Sequence, residues 1–480
     1  AWQGRKRFCI AETGFGTGLN FLAAWELFSE TTSNSQYLDY VSFEKYPLKP
    51  EQISEALKHW DDILGDYKRR LLKAYPILMP GFHRLCLTPN VTLTLIIGDI
   101  NEEMENLEAS VDCWFLDGFT PAKNPEMWTS YVFQQMARLS KPGASFATFT
   151  AAGSVRKGLI EAGFSVEKKK GFGQKRDMIA GRFESGSSKG HKKQVQSVSI
   201  IGGGLAGASC AYVLKQAGLD VHLYEAGQDV AAGASGNEIG LYNPRFSALR
   251  SAESDFYANG FSNFLSFLKQ EAFPHFQLSG CLHLINSEEK AKRFQTLQEN
   301  WQWPEERLQI LGIKEASNIA GVSLEHEALY LPDSGVVSPR ALCESYAKDI
   351  EISLESRIED LSSLKTDIII LANGAGVKNF DCLGWVPVHT VRGQVTICRS
   401  QAALEGMKTA ICYGGYITGA SSQGCHMLGS TFQKWLEHTS PLEEDDQDNI
   451  QRAKDNISSF KDQDFEIAGN RAGLRTSSRD

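Results

Sequence analysis

Two stretches of this chain share one build. "RFCIAETGFGTGLNFLAAWELF" starts at residue 7 and "VSIIGGGLAGASCAYVLKQAGLDVHLYEAG" at residue 198. Each is an apolar strand, a glycine-rich turn and an apolar-periodic helix, the opening βα unit of an α/β nucleotide-binding sheet. A chain with two such turns either binds one kind of nucleotide twice or runs two chemistries on two cofactors.

A length of 480 residues leaves room for both, since two or three domains is the expectation at this size. The composition, 42% hydrophobic and 22% charged, is that of a globular chain. No apolar run reaches the length of a membrane span, and no basic segment with an apolar stretch opens the chain. The ten cysteines form no CxxC pair and show no His/Cys ligand spacing. That predicts reduced thiols, a cytoplasmic protein and no structural metal. The chain starts without Met, almost at a strand, and stops at "RAGLRTSSRD", so it is expected to be a piece of a longer protein.

Charge is uneven. Residues 1–193 carry 25 basic and 22 acidic residues, a net +3, and the remainder carries 24 and 36, a net −12. Basic clusters lie at 5–7, 68–70, 167–177 and 191–193. Alone they describe a solvated face, but a basic domain in an acidic chain can also meet a phosphate backbone.

The stretch 184–196 is rich in Gly, Ser and Lys and lacks apolar periodicity, so it reads as a linker. It divides a block at 1–183 from a block at 197–480. In the first block, strands are expected at Arg7–Glu12, Tyr40–Phe43, Val91–Gly98, Val111–Leu116 and Ala144–Phe149. "GFSVEKKKGFG" is expected as a late hairpin. Helical stretches between the strands make this an α/β block with a mostly parallel sheet. The second block opens with a βαβ unit from Val198 to Tyr224, and mixed helices and short strands follow. The apolar "TDIIILANGAG" then reads as a late return to the first sheet. Tyr242 and Arg245 in "NEIGLYNPRFSA" receive no role.

In the first turn the glycines are Gly14, Gly16 and Gly18. Glu44 ends the second strand, where a carboxylate can take two ribose hydroxyls. Asp99 ends the third, where it can accept from an adenine amine, and Asp117 ends the fourth, facing a reaction centre. One such acid alone is commonly a helix cap, but three in strand order form a pattern. This order resembles a class I S-adenosylmethionine-dependent methyltransferase. The resemblance implies that Glu12, Gly14, Gly16, Gly18, Asn20, Glu44 and Asp99 bind S-adenosylmethionine. "DGFTP" resembles the acid-aromatic-proline motif of amine methyltransferases, which implies that Asp117 orients or deprotonates an amine and Phe119 walls the pocket.

The second turn spells G-x-G-x-x-G as Gly202, Gly204 and Gly207, and Glu225 ends the next strand. This complete strand–turn–helix–strand–acid unit is a dinucleotide signal, with phosphates at the helix N-terminus and Glu225 on the ribose. "GASGN" and the late "IIILANGAG" resemble two-domain flavin enzymes of the D-amino acid oxidase type. That resemblance implies FAD, with Ala234, Ser235, Gly236, Asn237, Ala372 and Gly374 joining the glycines and Glu225 around it. It also places Arg475 on a substrate carboxylate, a role that suits a bidentate guanidinium. Tyr413 and Tyr416 either flank that substrate or pack in a core.

A methyltransferase fused upstream of an amino-acid-oxidase-like flavoenzyme resembles the bacterial bifunctional tRNA 5-methylaminomethyl-2-thiouridine biosynthesis enzymes. "AETGFGTGLNF", "FLDGFTPAKNPEMW", "ATFTAAGSVRKGL", "KKGFGQKRDM" and "GASGN" carry the likeness. It implies a tRNA partner modified at its wobble uridine, with FAD and S-adenosylmethionine and without membrane or metal; the oligomeric state is left open, a monomer being compatible. The expected fold is a class I methyltransferase Rossmann-like domain, then an FAD-binding Rossmann domain with an inserted α+β substrate domain. A small-molecule amine methyltransferase fused to a glycine- or sarcosine-like oxidase is the alternative.

Overall fold

A computed structural model describes residues 2–171, 173, 176–184, 195–271, 273, 276–301, 303–402, 404–421 and 423–478. The chain forms two compact units, Ala1–Gln194 with Asn259–Ala272, and Val195–Ala258 with Phe273–Asp480. Of the expected linker 184–196, residues 185–194 lie outside the described residues.

The strands of the first unit are β1 Arg7–Glu12, β2 Tyr37–Glu44, β3 Gly81–Thr88, β4 Val91–Ile97, β5 Val111–Leu116, β6 Ser140–Thr148, β7 Phe164–Lys170 and β8 Asp177–Phe183. They form one sheet in the order β3-β4-β2-β1-β5-β6-β8-β7. The five from β4 to β6 pair in parallel, as expected. β1 shows why. Phe8 and Ile10 enter one apolar core and Cys9 and Ala11 the other, so the strand is covered on both faces. The chain runs outward from β1 through β2 and returns to β5 on β1's other side, which opens a crevice at their carboxyl ends.

Two features differ from the sequence reading. β3, antiparallel to β4, was not expected, because exposed Arg84 and Cys86 break its apolar run. "GFSVEKKKGFG" supplies only the first arm of a hairpin, and its partner is β8. On the edge strand β7, Lys168 pairs with Asp177 at 2.8 Å and Lys169 with Glu167 at 3.6 Å. The segment Asn259–Ala272 joins this unit through polar contacts, with Ile77 N donating to Ser262 Oγ (3.1 Å) and Arg84 N to Asn263 Oδ1 (3.0 Å).

The second unit begins with β9 Ser197–Ile201 and β10 Asp220–Tyr224. It leaves that sheet for β11 Gly240–Tyr242, β12 Phe276–Gln277, β13 Cys281–Leu284, β14 Gln309–Leu311, β15 Ala328–Leu331 and β16 Gly335–Val337. β17 Glu351–Ser353 and β18 Ile368–Leu371 return to it. Then come β19 Val388–Arg399, β20 Ala410–Cys412, β21 Tyr416–Ile417, β22 Cys425–Gly429 and β23 Ile467–Ser478.

The first sheet, β17-β10-β9-β18, is wholly parallel and stands on Val198, Ile200, Ala211, Val221 and Leu223. The excursions build a small sheet β11-β16-β12 and an eight-stranded sheet β14-β15-β13-β20-β21-β22-β19-β23. A Rossmann core interrupted by an α+β domain is therefore the fold. Among the described residues no helix is long and apolar enough to cross a membrane.

Candidate active sites

In the first unit a cavity of about 640 Å³ opens where the strand order reverses, a size that suits a cofactor-sized ligand. Gly14, Gly16, Asn20, Glu44, Asp99, Asp117 and Phe119 all line it. Parallel pairing sets the carboxyl ends of β1 and β5 side by side, with Glu12 opposite Phe115, so residues a hundred positions apart become neighbours.

Asn20 is the centre of this cluster. Its Nδ2 donates to Glu12 Oε1 and to Asp117 Oδ2, both at 2.8 Å. Asp117 Oδ1 accepts from Gly118 N at 2.8 Å, and Thr13 Oγ1 donates to the Asp117 carbonyl at 2.7 Å. The acid is held in one orientation at the cavity wall. Phe119 stands on the rim, 69% exposed. Glu44 Oε2 accepts from Gly16 N (2.8 Å) and Oε1 from Tyr46 N (2.9 Å), and each oxygen keeps a lone pair for a hydroxyl. Asp99 caps the short helix that follows it, accepting from Asn101 N at 2.9 Å, and its other oxygen meets Lys45 Nζ at 2.8 Å. Partial burial pulls its carboxyl up, but the bonds from Lys45 and Asn101 outweigh this and hold it below its ordinary value.

Glu12 and Gly18 lie behind the wall. Gly18 precedes the helix Leu19–Thr31 at φ 77°. Glu12 is fully buried, and Ser42 Oγ donates to it at 2.8 Å. Burial pushes its carboxyl up to about 8, against the bonds from Asn20 and Ser42. The folded chain thus keeps a proton that the unfolded chain releases near its ordinary value. This stabilisation is complete below about pH 4.5 and is lost as the pH rises through about 8. Glu12→Gln keeps the shape and cannot ionise. Between about pH 5 and pH 8 the parent's melting temperature should fall relative to that variant's. A constant difference between the two melting curves would show that Glu12 carries no such proton.

In the second unit the glycine turn is built as a dinucleotide cradle. Gly202 sits at φ 108°, and a Cβ there would lie 2.6 Å from the Ala372 carbonyl oxygen. A Cβ on Gly207 would lie 1.8 Å from the Gly202 oxygen, so the helix Leu205–Gln216 reaches the turn only without a side chain. Gly204 ends the turn, and Leu205 N donates to Ser235 Oγ at 3.0 Å. Glu225 Oε2 accepts from Gly203 N at 2.6 Å and Oε1 from Gly227 N at 2.8 Å. Ala372 continues β18 beside β9, and Gly374 follows at φ 59°. These residues fit FAD in the dinucleotide manner, with a bare turn, a helix N-terminus and an acid at the next strand end.

A second cavity of about 310 Å³ collects Ala234, Asn237, Tyr416, Ser430, Arg471 and Arg475 on its wall. Arg475 Nη2 donates to Ser430 Oγ (2.8 Å) and the Thr431 carbonyl (3.0 Å), and its guanidinium lies over Gly393, where a Cβ would meet it. Burial pushes the Tyr416 hydroxyl up to about 12, with Arg475 pulling the other way, so it stays neutral. Tyr413 instead belongs to the apolar core.

Arg471 was missed by the sequence reading. Its Nη1 donates to Asn237 Oδ1 at 3.1 Å, and it packs where Gly236 leaves room. On a strand residues 471, 473 and 475 share one face, but only the contact with Asn237 gives Arg471 its place in the cavity.

The family described as S-adenosyl-L-methionine-dependent methyltransferase matches residues 63–184, and the family described as FAD dependent oxidoreductase matches residues 197–480. A tRNA 5-methylaminomethyl-2-thiouridine biosynthesis bifunctional protein MnmC from Idiomarina loihiensis is 34% identical over 98% of this chain and 81% of its own length. The chain belongs to the MnmC family. Another MnmC protein, from Ectopseudomonas mendocina, is 37% identical over 91% of this chain and 70% of its own. L-proline dehydrogenase from P. horikoshii is 16% identical with a TM-score of 0.50, covering 58% of this chain and 81% of its own, a likeness of fold alone. As an MnmC-family protein the chain is a bifunctional enzyme, with S-adenosylmethionine serving its methyltransferase part and FAD its oxidoreductase part.

Proposed function

We propose that this chain modifies the wobble uridine of tRNA in two steps, with residues 1–183 as the methyltransferase and 197–480 as the oxidoreductase. The observation that carries the reading is the pairing of two built sites in one chain. One is an arginine-lined cavity beside a dinucleotide turn, and the other an acid held at the wall of a cofactor-sized crevice.

The first substrate is carboxymethylaminomethyl-uridine, an N-substituted glycine. Arg475, anchored through Nη2 by Ser430 and the Thr431 carbonyl, offers its remaining N–H donors to the carboxylate, and Arg471 adds a second cation to the same wall. Tyr416 borders the space left for the glycine-like carbon. Bound FAD supplies the two-electron acceptor for oxidising the CH–NH bond. The carbon loses a hydride and the nitrogen a proton, and water then cleaves the imine into glyoxylate and aminomethyl-uridine.

The primary amine is the second substrate. It attacks the methyl group of S-adenosylmethionine only through a free lone pair. Asp117, oriented by Asn20 and Gly118, accepts the amine proton, and Phe119 covers the approach. Glu44 and Asp99 hold the cofactor's ribose and adenine.

The test uses tRNA carrying carboxymethylaminomethyl-uridine and the holoenzyme. The wobble nucleoside is digested out and weighed with and without S-adenosylmethionine. Loss of the carboxymethyl group without it, and gain of one methyl with it, is the expected result. An unchanged nucleoside alongside turnover of glycine or sarcosine would replace this reading with the small-molecule one.

A further inference from the structure

Three potential metal ligands that the two proposed reactions do not use meet in the eight-stranded sheet. Cys281 and His283 stand two residues apart on β13, and Cys412 ends β20. The register sets His283 opposite Cys412 and Cys281 opposite Ala410. Cys281 Sγ lies 3.6 Å from Cys412 Sγ and 3.6 Å from His283 Nε2, and the three ligand atoms all lie within 4.8 Å of one another. Cys281 is fully buried, and the other two are half-buried.

The two 3.6 Å separations are those of a coordination shell, and the third closes to the same spacing when an ion draws the ligands in. A tetrahedral zinc centre, with bonds of about 2.3 Å to sulfur and about 2.0 Å to nitrogen, spaces two sulfurs ~3.8 Å apart and a sulfur and nitrogen ~3.5 Å apart. A trigonal centre would spread the sulfurs to ~4.0 Å. We propose that Cys281, His283 and Cys412 form a zinc-binding site, in which two thiolates and one imidazole clamp β13 to β20.

The place in the fold gives the clamp a purpose. β13–β20 is the parallel joint in a sheet whose other described pairs are antiparallel. It joins segments more than a hundred residues apart through a register of three residue pairs, and parallel pairing is the weaker kind. A metal across it adds ligand bonds to a joint of three residue pairs.

The surroundings suit a neutral centre. Two thiols release two protons to solvent as two Zn–S bonds form, and Zn²⁺ with two thiolates carries no net charge. Asn243 Nδ2 donates to His283 Nε2 at 3.0 Å, so the nitrogen nearest Cys281 carries a lone pair. Zinc displaces that bond when it takes the nitrogen, and water completes the fourth position.

The experiment takes the full chain, stripped with a chelator and kept reduced, and titrates it with zinc chloride and separately with cobalt chloride. One zinc per chain should bind, raise the melting temperature and resist desalting. Cobalt should give the strong visible absorption of a tetrahedral thiolate site. Cys412→Ser and His283→Ala should each weaken zinc binding at least about a hundredfold, since losing even a partner behind a ligand costs 10–100-fold. Cys86→Ser, an exposed thiol on β3, should change nothing. The cobalt spectrum of the parent stands even if a variant misfolds.

The proposal is overturned if cobalt gives only the weak absorption of an octahedral ion, or if folded Cys412→Ser binds zinc like the parent. Formation of a Cys281–Cys412 disulfide in air by a chain that never takes zinc would likewise replace it with a redox pair.

Discussion

Asp117→Ala is expected to lower methylation of aminomethyl-tRNA by at least about a hundredfold while glyoxylate release continues at the parental rate. The side chain offers the amine an acceptor whose orientation is already set. Asn20 holds one oxygen, the Gly118 amide the other, and Thr13 the carbonyl of the same residue. Alanine removes that acceptor and leaves Asn20 its bond to Glu12, so the wall survives. Asp117→Asn separates the two contributions, because it keeps the shape and a carbonyl oxygen but cannot take a proton. The readout is the mass of the wobble nucleoside beside a glyoxylate assay. Simultaneous loss of both steps in folded protein would refute two separate sites. Full methylation by the alanine variant would remove Asp117 from the reaction.

Gly207→Val should abolish FAD binding and glyoxylate release together, while methylation of pre-formed aminomethyl-tRNA persists. A Cβ at this position overlaps the Gly202 carbonyl oxygen at 1.8 Å, a backbone atom that cannot turn aside. The helix Leu205–Gln216 would have to lift off the turn, and the bare surface that admits a pyrophosphate would go with it. Gly204 is the milder position, because a Cβ there meets only the Ser235 hydroxyl at 3.1 Å. Gly204→Ala should therefore weaken flavin binding less than Gly207→Val. The flavin absorbance of desalted protein measures both. A yellow, active Gly207→Val protein would mean that the turn does not cradle the dinucleotide.

Much of both sites was legible because their motifs are local. β1 runs as expected because a strand covered on both faces is a short apolar run, and β5 follows the same pattern apart from Asp112, which pairs with Lys141 at 2.7 Å. Gly202, Gly204, Gly207 and Glu225 fall within one βαβ unit, whose spacing is a property of consecutive residues. β3 was not legible, since an edge strand with one wet face carries polar residues at alternate positions. Nor was Arg471, whose role arises only when β23 lies beside the Gly233–Asn237 segment.

By itself the amino-acid sequence determined the two cofactor turns, the acids at the strand ends and the order of the two chemistries, because backbone periodicity and turn geometry act over a few residues. Only the tertiary structure decided that Asn20 bridges Glu12 and Asp117, that Arg471 joins Arg475, and that Cys412 meets Cys281 and His283. Those meetings depend on strand order and register, which are set by how apolar faces pack across the whole sheet and leave no mark at fixed spacing along the chain.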